Sequence, residues 1–189
     1  MSNSSTSDRS ARFLSLLQPI EGELECYARR MVWRREDVPD ALQNAVLRAF
    51  TAFDRYREDA SFRAWIYRIL TNEISTINRR HTRAERPAEP AEIDALEALE
   101  NAAAHTDWLA SPEALREALD DDIVTALDDL TEKERAVLLL RAIGGFHYHE
   151  MAETLEIPMG SVMGHLSRAR HKMREALRRK TKKTTTRTP

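Results

Sequence analysis

Between residues 84 and 110 the chain is rich in Ala, Glu and Pro and carries little large apolar surface. Apolar side chains at helical spacing lie on both sides of it. A segment of that composition buries too little area to offset the entropy of ordering it, so it reads as a linker. The 189-residue chain must then build two small cores instead of one large one. Within the linker only a loose helix near 93–104 is expected.

Five glycines and seven prolines punctuate the whole chain, and β-branched alternation is scarce. The fold class is therefore all-α, two small helical domains joined by a flexible linker. A first amphipathic pair covers residues 9–34 and breaks near Pro19; Leu24, Tyr27, Ala28 and Met31 mark its buried face. Asp37 has the form of an N-cap, with Pro39 in the first turn of the next helix. That helix carries the stripe Leu42, Ala45, Val46, Ala49, Phe50 and Phe53. After the polar stretch DRYREDAS, Ser61 caps a long helix with Phe62, Trp65, Ile66, Ile69, Leu70 and Ile77 inward, ending in NRRHTRAER before Pro87. The first domain thus spans 9–83 and the linker 84–110.

The second domain, 111–180, restarts at Ser111-Pro112, with Leu115, Leu119, Ile123 and Leu127 on one face. Thr131 and Glu134 have capping-box spacing. The short helix they open carries Val137, Leu138 and Leu140 and stops before Gly144-Gly145. Another helix covers 147–155 and a last one 159–179. Residues 181–189 read as a disordered basic tail.

Charge sharpens the picture. The formal net charge is only -2, but acids dominate from Glu85 to Glu134, whereas Glu175 is the one acid between Arg168 and Arg187. Such asymmetry points the basic end toward nucleic acid. The single cysteine, Cys26, excludes an internal disulfide or a Cys-based zinc site; it reads as a small core residue in a reducing cytoplasm. No run approaches the ~20 apolar residues that span a bilayer, so no membrane insertion is expected. The N-terminus reads as a frayed polar lead-in. No nucleophile–base pair, phosphate loop or Cys/His ligand spacing is present, so no enzyme, cofactor or metal is expected. His147 and His149 around Tyr148 read as a solvated turn.

The last two helices have helix-turn-helix patterning: Met151, Ala152 and Leu155, the apolar turn residue Ile157, then Val162 and Leu166. Val162, Leu166, Ala169, Met173 and Leu177 face inward. Ser161, His165, Arg168 and Lys172 are left as one outward stripe. An ordinary helical hairpin with a solvated basic end is the competing reading; the cation cluster favours DNA, because each neutralised phosphate releases counterions.

LTEKERAVLLLRAIGGFHYHEMAETLEIPMGSVMGHLSRARHKMREAL resembles region 4 of bacterial sigma factors of the sigma-70 class, extracytoplasmic-function (ECF) group. REDVPDALQNAVLRAFTAFDRYREDASFRAWIYRILTNE resembles their region 2. The resemblance implies a promoter-specific initiation factor without cofactor. Its partners would be core RNA polymerase and promoter DNA; a separate anti-sigma protein, common in the group, is an open expectation. For core-polymerase binding it implies Asp37, Asp40, Leu42, Gln43 and Arg48. For the melted minus-ten element it implies Tyr56, Arg57, Ser61, Phe62, Trp65 and Asn72, with Arg79, Arg80 and Arg83 suited to duplex phosphates. Phe62 and Trp65 recur at helical spacing and read first as core, which leaves Tyr56 as the better stacking candidate.

For the minus-thirty-five element the resemblance implies Ser161, Met163, Gly164, His165, Arg168, Arg170 and Lys172. Here the chain departs from its relatives. They often read Gly-Thr-Val-Lys-Ser-Arg where this chain has Gly160-Ser161-Val162-Met163-Gly164-His165, so the Lys and Arg slots hold Met163 and His165. The turn position that is commonly Gly is Glu156. Arg168, Arg170 and Lys172 would then meet phosphates, and base choice would fall to Ser161 and His165. Two other functions compete: a sigma-like interaction protein that binds polymerase without reading DNA, and a stand-alone helix-turn-helix regulator.

Overall fold

A 3-10 turn at Gln18–Ile20 separates helix α1 (Ser2–Leu17) from α2 (Glu21–Met31), because Pro19 lacks the N–H that would continue the first helix. The computed structural model describes residues 2–57, 59, 61–85 and 126–185. Among them all regular structure is helical, and the chain divides into two compact units, residues 1–89 and 90–189. α1 starts at Ser2, so the expected frayed lead-in is helical; polar turns extend a helix cheaply once packed turns have nucleated it.

In the first unit, α2 buries Leu24, Tyr27, Ala28 and Met31 as its spacing predicts. Cys26 is instead half-buried, with the Arg30 guanidinium 2.9 Å from its Sγ; it lies off the 24–27–28–31 face. A 3-10 turn, Arg35–Asp37, leads into α3 (Val38–Ala52), which has Pro in its first turn. Asp37 makes no cap hydrogen bond. Its carboxylate turns away to His81, 2.8 Å distant on α4 (Phe62–Glu85). α3 buries Val38, Ala41, Ala45 and Ala49, small side chains that let it approach α4 closely. Phe13, Phe53 and Phe62 close one end of the core in edge-to-face contacts.

Polar side chains lock α4 to its neighbours. Asn78, fully buried, donates to the Met31 carbonyl at 3.1 Å and accepts from the Trp33 N–H at 3.2 Å, so it closes the end of α2. Thr71 Oγ1 donates to the Tyr67 carbonyl at 2.8 Å, which leaves the Tyr27 hydroxyl to donate to it at 2.9 Å. From α1, Arg9 reaches the Phe50 carbonyl at 2.5 Å, which also accepts from the Phe53 N–H, and pairs with Asp54 at 3.1 Å, tying α1 to the end of α3.

The second unit holds α5 (Glu132–Ala142), α6 (Tyr148–Leu155) and α7 (Met159–Thr185). Thr131 and Glu134 form the expected capping box. α5 is buried nearly all round, with Val137, Leu138, Leu139, Leu140 and Ala142 inside. Gly145 takes φ +65° after it, and a Cβ on Gly144 would sit 2.3 Å from the Phe146 ring. α6 ends at Glu156 with φ 54° and ψ 42°, left-handed backbone on a non-glycine residue. α7 runs to Thr185, so residues 181–185 of the expected tail are helical; Lys and Arg near a helix C-terminus are favoured by its dipole. The expected linker helix near 93–104, the helix bearing Leu115, Leu119 and Ile123, and the Arg83 and Leu177 side chains lie outside the described residues.

Candidate functional site

Three surfaces gather the residues singled out above. On α3, Asp40 and Gln43 are exposed and Leu42 is half-buried. Leu42, Gln43, Val46 and Phe50 line one wall of an open groove of about 540 Å³, with Phe13 and Leu14 of α1 on the other. Leu14 and Leu47 are 49% and 61% exposed at its rim. The stripe predicts Leu42, Val46 and Phe50 as core, but all three are only half-buried. The core takes the alanine side of α3 and leaves the larger side chains as a groove wall. Arg48 is exposed but pairs at 2.8 Å with the buried Glu73 of α4, and Asp37 is occupied by His81. Both therefore have structural partners that the sequence did not disclose.

After α3, Tyr56 stacks on Phe53 with ring planes 5° apart and 5.8 Å between centroids. It also meets Phe62 edge-on and Trp65 at 5.3 Å. Phe62 is buried, Trp65 and Tyr56 half-buried, so Tyr56 belongs to the aromatic cluster instead of standing alone on a polar loop. Arg57 makes a two-point pair with Asp59 on the surface, an exposed contact worth well under ~1 kcal/mol and readily exchanged. Ser61 Oγ accepts from the Ala64 N–H at 3.2 Å, the cap its position predicts. Asn72, Arg79 and Arg80 are exposed along α4.

The third surface is α7, and here the outward stripe is corrected. His165 is only 6% exposed, and Ser161, Arg168 and Lys172 are half-buried. Residues 162, 165, 166, 169 and 173 form a buried face wider than the aliphatic row alone, as a helix packed on two neighbours requires. Met163, 40% exposed, Met159 and His171 face out, with Ser167 and Arg170 beside them.

Beneath α7 lies a residue that the sequence shows only as half of a capping box. The Glu134 carboxylate, almost wholly buried, accepts from Lys172 Nζ at 2.7 Å and Arg168 Nε at 3.3 Å. It also accepts from the Thr131 N–H at 3.0 Å. Burial pushes this carboxyl up, but the hydrogen bond and charge of Lys172 and the Thr131 N–H hold it below the usual range. Deeper still, the buried Arg135 guanidinium caps the Leu127 carbonyl and pairs with Asp128 at 3.0 Å.

Residues 18–84 match the family description Sigma-70 region 2, and residues 120–173 match Sigma-70, region 4. The ECF RNA polymerase sigma-E factor of Escherichia coli (strain K12) is 33% identical over 138 residues, 71% of this chain and 70% of that protein. The chain belongs to the ECF group of the sigma-70 family. It is a promoter-specific transcription initiation factor. This sigma factor is also 30% identical to the RNA polymerase sigma-H factor of Pseudomonas aeruginosa over 152 residues, 78% of this chain and 77% of that one. Among solved structures, its fold is shared with the sigma factor RpoE of Bartonella quintana in complex with the anti-sigma factor NepR. The TM-score is 0.68 at 21% identity, over 88% of this chain and 97% of that one. CnrH in complex with the cytosolic domain of CnrY matches with TM-score 0.62 at 26% identity, over 89% and 88%. No helix among the described residues is long and apolar enough to cross a membrane.

Proposed function

We propose that this sigma factor docks on core RNA polymerase through the α1–α3 face. Asp40 and Gln43 supply exposed polar contacts there, and Leu42, Leu14 and Leu47 supply apolar anchors. The observation that carries this reading is the open apolar groove beside two exposed polar residues. An apolar centre with a polar rim is the anatomy of a protein interface. Asp37 and Arg48 act chiefly by holding α3 through His81 and Glu73. Tyr56, Trp65 and Asn72, with Arg57 released from Asp59 and Arg79 and Arg80 further along α4, engage the minus-ten element. Ser61 and Phe62 support them from the cap and the core.

In the second unit α7 faces the minus-thirty-five element with Ser161, Met163, Gly164, Arg168, Arg170 and Lys172, and His165 is withdrawn from direct contact. The chain works in the cytoplasm, has no catalysis of its own, and is open to control by a separate anti-sigma protein. Run-off transcription with core RNA polymerase on a promoter library tests the whole reading. Output is expected from a subset of promoters sharing two spaced elements. Equal output with and without the chain would overturn it.

A further inference from the structure

α7 carries no Lys or Arg of its own before Arg168, yet a guanidinium still reaches that end of the helix. Arg168 folds back along the helix and lies over Gly164: a Cβ added there would stand 3.5 Å from Nη1 and 3.9 Å from Nη2. Long helical side chains lean toward the N-terminus, and a glycine one turn earlier gives this one a flat bed. Acceptors on α5 and on α7 itself hold it. Glu134 Oε1 accepts from Nε at 3.3 Å, and His165 Nδ1 accepts from Nη2 at 2.9 Å. A guanidinium can only donate, so Nδ1 of His165 carries a lone pair and its ring proton sits on Nε2. Glu134 is itself immobilised, buried and tied to the Thr131 N–H and Lys172. About a third of the Arg168 side chain stays exposed.

We propose that Glu134 and His165 are positioning residues that hold the Arg168 guanidinium over Gly164, and that Arg168 so placed reads a base in the minus-thirty-five element. This assignment rests on the reading that α7 faces that element. Its physical ground is preorganisation: a long side chain held in one geometry loses less entropy on binding, and Arg makes its most specific base contact with two fixed donors. In this arrangement His165 serves specificity without touching DNA.

The test is run-off transcription by holoenzyme, core polymerase with the full-length chain, on promoters randomised through the minus-thirty-five element. Arg168→Ala is expected to reduce preference at one base pair roughly fivefold or more. Glu134→Gln and His165→Ala are expected to erode preference at that same base pair while output from promoters lacking it holds. Glu134→Gln retains a residue competent at the third position of the capping box, so folding is kept, and melting curves verify it. His165→Asn, which restores a short acceptor near Nδ1, is expected to recover part of the preference. If Arg168→Ala removes the preference but Glu134→Gln and His165→Ala keep it, the positioning role is overturned and the reading of α7 stands. If Glu134→Gln raises output on all promoters and steepens its salt dependence, Glu134 is a brake on the cations, and the proposal also falls. If Arg168→Ala changes nothing while Ser161→Ala alters base preference, the assignment to Arg168 falls alone. If neither variant alters it, the reading of α7 falls too.

Discussion

Two turns of the second unit place unusual demands on single residues. Glu156 sits at φ 54°, where an L side chain crowds the following carbonyl at a cost of ~1–2 kcal/mol. Glycine removes that crowding but has more backbone freedom to lose on folding. Glu156→Gly is therefore expected to stabilise the second unit by about 1 kcal/mol, read as a higher urea midpoint. Gly144 is the opposite case. Any Cβ there meets the Phe146 ring at 2.3 Å and the Leu140 carbonyl at 2.8 Å, backbone and buried ring that have little room to give. Gly144→Ala is expected to cost ~1–3 kcal/mol, and a melting temperature within a degree of wild type would refute the packing described. The two glycines were legible as a helix stop, and Glu156 as a position needing tight backbone. The ring contact was not, since nothing in Gly144-Gly145 shows which way Phe146 turns.

At the scale of elements, the α5–α7 packing is held by one carboxylate serving two cations. Because the folded-state pKa of Glu134 lies below its ordinary value, its contribution is present above the unfolded pKa and is lost as pH falls through the folded value. The window therefore opens near the ordinary carboxylate pKa of ~4.3 and extends downward. Glu134→Gln is expected to cost about 1.5 kcal/mol at pH 7 and to flatten this part of the acid limb. Urea denaturation followed by circular dichroism at pH 7 and at lower pH checks both; an acid limb as steep as wild type would exclude Glu134 as its source. The helical spacing of α7 already contained a hint of His165, which stands three residues after Val162 and four before Ala169. The aliphatic row alone hid it, because a histidine between two apolar positions has no preferred side until a partner such as Arg168 is placed.

For the whole molecule, the proposed polymerase-docking face and the proposed minus-thirty-five surface of α7 fall in different compact units, so substitutions should break them separately. Asp40→Ala combined with Gln43→Ala removes exposed groups without disturbing the core, so the melting curve should move by no more than ~0.5 kcal/mol equivalent, while retention of core polymerase in a pull-down falls. Arg48→Ala is a poorer probe, because it strands the buried Glu73. On the proposed minus-ten role of the aromatic cluster around Tyr56, the protein without core is expected to bind promoter duplex weakly, since stacking of bases on those rings would need open strands. A tight, sequence-specific gel shift without polymerase would argue that the second unit works alone.

Periodicity and punctuation determined the helices. Pro19, Ser61, Thr131 with Glu134, and Gly144-Gly145 act through local hydrogen bonds and backbone sterics, which need no tertiary partner. The buried rows of α2 and α7 followed for the same reason, as did the family, whose two motifs are read along the chain. What only the tertiary structure decided is where the polar groups go. Asp37 turns from its cap to His81, Arg48 finds Glu73, Asn78 closes α2, and Glu134 gathers Arg168 and Lys172. Each is a pairing between residues more than 20 positions apart, driven by the cost of leaving a polar group unsatisfied at a packed surface. That cost has no local signature in the sequence, because it arises only once two helices have met.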